Sequence, residues 1–166
     1  DREAAAQKFL AKPAWGLSEK DQEQSLKQVM SILNDPDFGA IFGPNSRAEV
    51  TINGMFEKDG KKQMMSGQID RLVVDDKTVL IVDFKNSRKV PKTAAQVQYK
   101  YVAQMASYRL ALQQIYPDKQ IKCALLYTRE SKLIPLSGQK LAAAVRRLGL
   151  APAGADQALH LGVAVD

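Results

Sequence analysis

Three carboxylates and one ammonium group in this chain fall where they could share a reaction. Glu49 lies in a strand-like run over 47–56 and Asp70 in a second over 64–75. Asp83 and Lys85 close a third run over 78–85. Asp59-Gly60 separates the first two runs and is a strong hairpin signal; Asp76-Lys77 separates the second and third and is a weaker one. Two-residue turns at these places set Glu49 opposite Asp70 and Asp70 opposite Asp83. The three acids then form one row across three neighbouring strands. Lys85, two residues beyond Asp83, shares their face.

Such a row is costly. Directly opposed residues have Cβ atoms roughly 4.5–5.5 Å apart, and like charges there are destabilising. The third strand is otherwise apolar, so its end is expected to be partly buried. Clustered carboxylates in that setting need a cation or a proton. A hard divalent ion fits, and Mg²⁺ commonly uses one or two carboxylates with waters and substrate phosphates. The ion polarises a phosphate and acidifies a bound water, while a lysine offsets negative charge. These residues therefore suit metal-assisted phosphodiester hydrolysis. Two alternatives stay open. Asp83 and Lys85 alone could be a solvated surface pair of little energetic weight. A single bulge would turn Glu49 or Asp70 to the opposite face.

Composition narrows the chemistry. The single cysteine, Cys123, excludes an internal disulfide framework, a four-cysteine zinc site and an iron–sulfur cluster held within the chain. One histidine, His160, makes a histidine-based metal site or a serine–histidine triad improbable. Any metal must take oxygen ligands. Net charge is +6 with a pI near 9.4, which favours polyanionic partners such as nucleic acid. No phosphate-loop motif is present, so no ATP site is expected here. No apolar run is long enough for a membrane span, and no segment has the layout of a signal peptide. The chain begins at Asp1, and we read it as a piece of something longer or a processed product.

The elements that must position these groups are set by periodicity. Residues 1–11 read as a short helix stopped near Pro13. Ser18 caps a second helix, with Leu26, Met30 and Leu33 as its stripe, ending at Asn34. Residues 35–45 have loop chemistry. After the three strands comes a basic loop, Asn86 to Thr93, carrying Arg88, Lys89 and Lys92. Val97, Tyr101, Met105, Tyr108, Leu112 and Ile115 mark a long amphipathic helix ended by Pro117. Residues 120–128 read as a buried strand, 131–136 as an edge strand, and Ser137 caps a last helix through Arg147. Residues 148–166 are left unassigned beyond a domain at 1–147. The order is that of a mixed α/β domain, with the long helix as a crossover to a parallel strand.

Gly67-Gln68-Ile69-Asp70-Arg71-Leu72, Ile81-Val82-Asp83-Phe84-Lys85 and Gln104-Met105-Ala106-Ser107-Tyr108 together resemble the motifs of RecB-type nucleases, a branch of the PD-(D/E)xK phosphodiesterase superfamily. The segments 46–50, 67–72, 98–112 and 115–128 look closest to the carboxy-terminal nuclease domain of AddA-type helicase–nuclease subunits. The resemblance covers roughly residues 1–136. It implies a restriction-endonuclease-like fold, a central mixed β-sheet flanked by helices. It implies Asp70, Asp83 and the Phe84 carbonyl as metal ligands, Lys85 as the catalytic lysine and Glu49 as an auxiliary acid. Gln104 and Tyr108 would support the site and contact DNA; core packing is the other reading for Tyr108. Arg71, Arg88, Lys89, Lys92 and Lys100 would line a DNA path, the alternative being a solvated basic loop.

The activity that this resemblance implies is that of a Mg²⁺-dependent deoxyribonuclease domain, with Mn²⁺ as a substitute ion and no iron–sulfur cluster. It would serve double-strand break repair and recombination and leave a 5′ phosphate and a 3′ hydroxyl. The expected partners are DNA and an AddB-type subunit, ATP being used only in a helicase part outside this chain, and the expected location is the bacterial cytoplasm at the nucleoid. A non-catalytic DNA-binding or docking module with the same fold is the alternative. Two residues depart from the pattern. The family's first-helix histidine is absent, since His160 lies near the wrong end, so this chain is expected to bind metal poorly and to cut weakly or not at all. Asn86 stands where threonine is usual.

Overall fold

A computed structural model describes residues 1–153 and 160–163. Its centre is the pair of hairpins expected from the turns. Strand β1 (Ser46–Lys58) pairs antiparallel with β2 (Lys61–Val74), which pairs antiparallel with β3 (Thr78–Lys85). Asp59 and Gly60 both take positive φ, 52° and 70°, which a tight primed turn needs. Lys58 pairs with Lys61 and Ala48 with Arg71, so the register set by that turn holds along the ladder. Across the second turn Val74 pairs with Val79 and Arg71 with Val82, again as expected.

From β3 the chain crosses through α3 (Tyr99–Ile115) to β4 (Gln120–Tyr127), which is parallel to β3. Strand β5 (Lys132–Leu136) then adds antiparallel to β4, and α4 (Gly138–Leu148) packs on α3. Ser137 caps α4 by accepting the Lys140 amide, and Gly149 ends it at φ 67°. Residues beyond 148, unassigned from sequence, contribute β6 (Leu150–Pro152) and β7 (His160–Val163), both antiparallel to β1. The sheet order is β5-β4-β3-β2-β1-β6, with β7 also on β1. The remaining tail residues, 154–159 and 164–166, lie outside the described ones.

Both faces of the sheet are covered, which is why β3 and β4 read as unbroken apolar runs. On one face Ile52, Ile69, Ile81 and Leu125 pack under Met105 and Leu112 of α3. On the other, Val82 and Leu126 pack with Ile32 of α2 (Glu19–Leu33), Phe38 and Ile41. Phe38 and Ile41 belong to a 3-10 helix, Pro36–Phe42, that replaces the expected loop. Asp35 starts it by accepting the Asp37 amide. Helix α3 is not the one-sided amphipathic helix expected. It buries Val102, Met105, Ala106, Tyr108, Leu110, Ala111 and Leu112, because the sheet lies on one side of it and α4 on another. Helix α1 (Arg2–Leu10) buries no residue, and its Phe9 stacks on Trp15 with centroids 5.1 Å apart.

Candidate active site

The end of β3 carries the one buried charge among the described residues, Asp83, which is 4% exposed. Its Oδ2 makes an ion pair with the Lys85 ammonium and has no hydrogen bond. Asp70, one strand away, accepts the Phe84 amide on Oδ2 at 2.6 Å, which fixes its carboxylate against β3 beside Asp83. Lys85 donates to Gln104 Oε1 at 3.3 Å, and its Nζ sits 4.2 Å from the centre of the Tyr101 ring. Gln104 Nε2 donates to the Tyr108 hydroxyl at 3.3 Å, and that hydroxyl donates to the Gln68 carbonyl at 3.1 Å. A closed path of contacts thus runs from β3 to α3 and back to β2. Tyr101, Gln104 and Tyr108 share one helix face because they are three and four residues apart.

Burial pushes the Asp83 carboxyl up from its usual value; the adjacent Lys85 ammonium pulls it down, and the Asp70 charge pushes it further up. Desolvation wins, so the folded protein holds a proton on Asp83 more tightly than the unfolded chain does. The stability this group contributes is present at acid pH and is lost as pH rises through its raised pKa. Asp83→Asn, which cannot ionise, is therefore expected to gain in melting temperature over the metal-free parent as pH rises from the acid range toward neutral. A difference that does not change with pH would show that burial of the charge carries no penalty.

A cation is the other way to relieve that penalty. Asp70 and Asp83 offer two carboxylates, one with a buried oxygen lacking any hydrogen bond. Among the described residues no group of three or more His, Cys, Asp or Glu side chains is placed to hold a metal ion. The donor set therefore fits a hard ion with few protein ligands, such as Mg²⁺, which keeps waters and takes substrate phosphates. Phe84 meets Asp70 through its amide; its ring lies on the α2 side, 6.3 Å from that of Phe42.

Glu49 corrects the three-acid row. The pairing register is the expected one, yet Glu49 is exposed, takes φ 52°, and is skipped between the Ala48–Arg71 and Val50–Ile69 pairs. It makes no third carboxylate with Asp70 and Asp83. Arg71 does not join the site either: its guanidinium lies 5.1 Å from the Phe42 ring centre, on the α2 side. Arg88, Lys89 and Lys92 are exposed on the loop after β3. That loop is tied down by Lys132, which donates to the Pro91 and Lys92 carbonyls, and by Gln96, which accepts the Lys92 amide. Lys100 reaches the Tyr101 ring at 4.8 Å.

Two residues have roles in the site that the sequence motifs do not reveal. Tyr101 is the aromatic seat of Lys85, and its place three residues before Gln104 was the available signal. Gly67 is the other: a Cβ there would lie 2.5 Å from Tyr108 Cε1, so the missing side chain makes room for the ring. Cys123 has no part in the site. It is buried behind Met105, and burial pushes its thiol up to about 12. In native protein it is expected to resist thiol reagents at neutral pH, and to react fully after denaturation.

A family model described as PD-(D/E)XK nuclease superfamily matches residues 2–159. No curated protein matches the chain. Among solved structures, that of SSO0001 aligns with 14% identity and a TM-score of 0.40, covering 89% of this chain and 67% of that one. No helix among the described residues is long and apolar enough to cross a membrane.

Proposed function

Because the chain belongs to the PD-(D/E)XK nuclease superfamily, we propose that it hydrolyses DNA phosphodiester bonds with Mg²⁺ or Mn²⁺ held by Asp70, Asp83 and the Phe84 carbonyl. On the strength of its three motifs, we read it as the nuclease domain of an AddA-type helicase–nuclease. An AddB-type partner, a role in double-strand break repair and a cytoplasmic location at the nucleoid come with that reading. The observation that carries the hydrolytic proposal is the pair of buried Asp83 and partly buried Lys85 beside Asp70.

The ion, when bound, supplies an acidified water and polarises the phosphate. Asp70 and Asp83 bring the negative charge that binds it, and the Phe84 amide keeps Asp70 turned to that task. With an ion held by Asp83, Lys85 would be available to offset charge on the phosphate. Gln104 and the Tyr101 ring hold its ammonium near that position. We assign Glu49 a contact through water, in keeping with its exposure.

A non-catalytic docking module is the second reading, favoured by the exposed Glu49, which stands apart from Asp70 and Asp83. Thermal melts with Mg²⁺ or Mn²⁺ and cutting of linear single-stranded DNA separate the two. A resident ion at a hundredfold excess over its dissociation constant stabilises by about 2.7 kcal/mol. The melting temperature is expected to rise with the ion, and Asp83→Ala is expected to lose both the rise and the cutting. DNA binding with no metal response and no cutting would favour the docking module. Cutting that persists in Asp83→Ala would point to a contaminant.

A further inference from the structure

Acidic residues are strongly segregated in this chain. From Phe84 to Pro117 the sequence carries Lys85, Arg88, Lys89, Lys92, Lys100 and Arg109 and no Asp or Glu. From Ser131 to Ala155 it carries Lys132, Lys140, Arg146 and Arg147 and again no acid. The fold brings these two stretches together, since α4 packs on α3. Between them lies a groove of about 360 Å³, with small apolar walls at Ala95, Val102, Ala143 and Ala144. Val97, Tyr99, Lys140 and Arg147 complete its lining.

Tyr99 is 39% exposed, and the Arg147 guanidinium lies 4.1 Å from its ring centre. A large exposed aromatic ring beside a cation, in a groove without acids, is the arrangement that stacks a base and holds its phosphate. Lys140 donates one hydrogen bond to the Ala94 carbonyl, which leaves donors of its ammonium for a phosphate. The groove lies at the same end of α3 as the candidate active site, on a different face of that helix. Tyr99, Lys100 and Tyr101 make up the first turn of α3, and the Tyr101 ring is shared by the Lys100 and Lys85 ammonium groups. Gln98 gives that helix end no side-chain cap, so its free amides add positive potential along the way.

We infer that the groove between α3 and α4 is a track for single-stranded nucleic acid at the end of α3 that also carries the Lys85 site, with Tyr99 as its stacking platform and Arg147 and Lys140 as its phosphate contacts. The inference rests on the nucleic-acid reading of the site above and not on hydrolysis. Duplex DNA is excluded from the stacking role because its bases are already paired and stacked.

The test is fluorescence anisotropy of labelled oligothymidylate with the full chain, in EDTA so that nothing is cut. Tyr99→Ala and Arg147→Glu are each expected to weaken binding about tenfold, and Tyr99→Phe to retain it. Arg147→Glu is also expected to flatten the salt dependence. Lys20→Glu, exposed on α2, is expected to bind as the parent does. Parental affinity in both Tyr99→Ala and Arg147→Glu would overturn the track. A loss in Arg147→Glu alone would overturn the stacking platform, as would equal competition by duplex. Turnover of bis(p-nitrophenyl) phosphate by the unaltered protein with Mn²⁺ separates the two claims. No turnover would count against the hydrolytic reading alone, and the binding comparison would still decide the groove.

Discussion

Lys85→Ala is expected to lower the rate of metal-dependent DNA cleavage by about 10²–10³-fold while the protein stays folded. That is the usual loss when one preorganised group facing developing charge is removed. The size reflects how firmly Lys85 is held: it is paired with Asp83, bonded to Gln104 and seated on Tyr101. Lys85→Arg is not expected to rescue, because a planar guanidinium cannot reproduce a compact ammonium in that seat. Initial rates on linear single-stranded DNA with Mg²⁺ check both variants, and a variant cutting at the parental rate would take Lys85 out of the reaction. Lys85→Ala also removes the group that pulls the Asp83 carboxyl down. Its stability relative to the parent is therefore expected to be closest in acid and to fall behind as pH rises.

Gly67→Ala is the second large effect. The added methyl would meet Tyr108 at Cε1, the hydroxyl and Cζ, at 2.5, 2.7 and 2.9 Å. Tyr108 is 6% exposed, so its ring has little room to retreat. Overpacking of this kind costs about 1–3 kcal/mol, readable as a lower denaturant midpoint. Activity is expected to fall as well, since the displaced hydroxyl anchors Gln104, which holds Lys85. In a Tyr108→Ala background the stability cost of Gly67→Ala should largely vanish. If it persists there, the clash is not its cause.

The hairpin register was legible because two-residue turns leave no freedom: once Asp59 and Gly60 are in the turn, every pair from Lys58–Lys61 to Ser46–Val73 is set. Asp70, Asp83 and Lys85 were placed together for the same reason; Gln104 and Tyr108 joined them only through the family resemblance, with which their spacing of four agrees. Glu49 was not, since register arithmetic assumes regular pleating. Its positive φ breaks the pleat without shifting the register. Nothing in the residue type of Glu49 announces that. Gly67 was read as part of a motif, and its physical reason, a tyrosine from a distant helix lying across it, is a tertiary fact. The 3-10 helix at Pro36–Phe42 was hidden behind turn-forming residues, although Phe38 and Ile41 proved to be core.

Strand β1 would be the exposed margin of the sheet if β6 and β7 did not divide it between them, β7 along Val50–Asn53 and β6 along Phe56–Lys58. The opposite margin, β5, is only five residues long and presents Pro135, which has no amide to offer. Among the described residues the margins are therefore short strands, β6 and β7 on one side and β5 on the other, which offer a second copy little length to pair with. Shortening the chain before β6 should unmask an apolar selvedge, and such a truncation is expected to run as soluble oligomers or precipitate in size-exclusion chromatography.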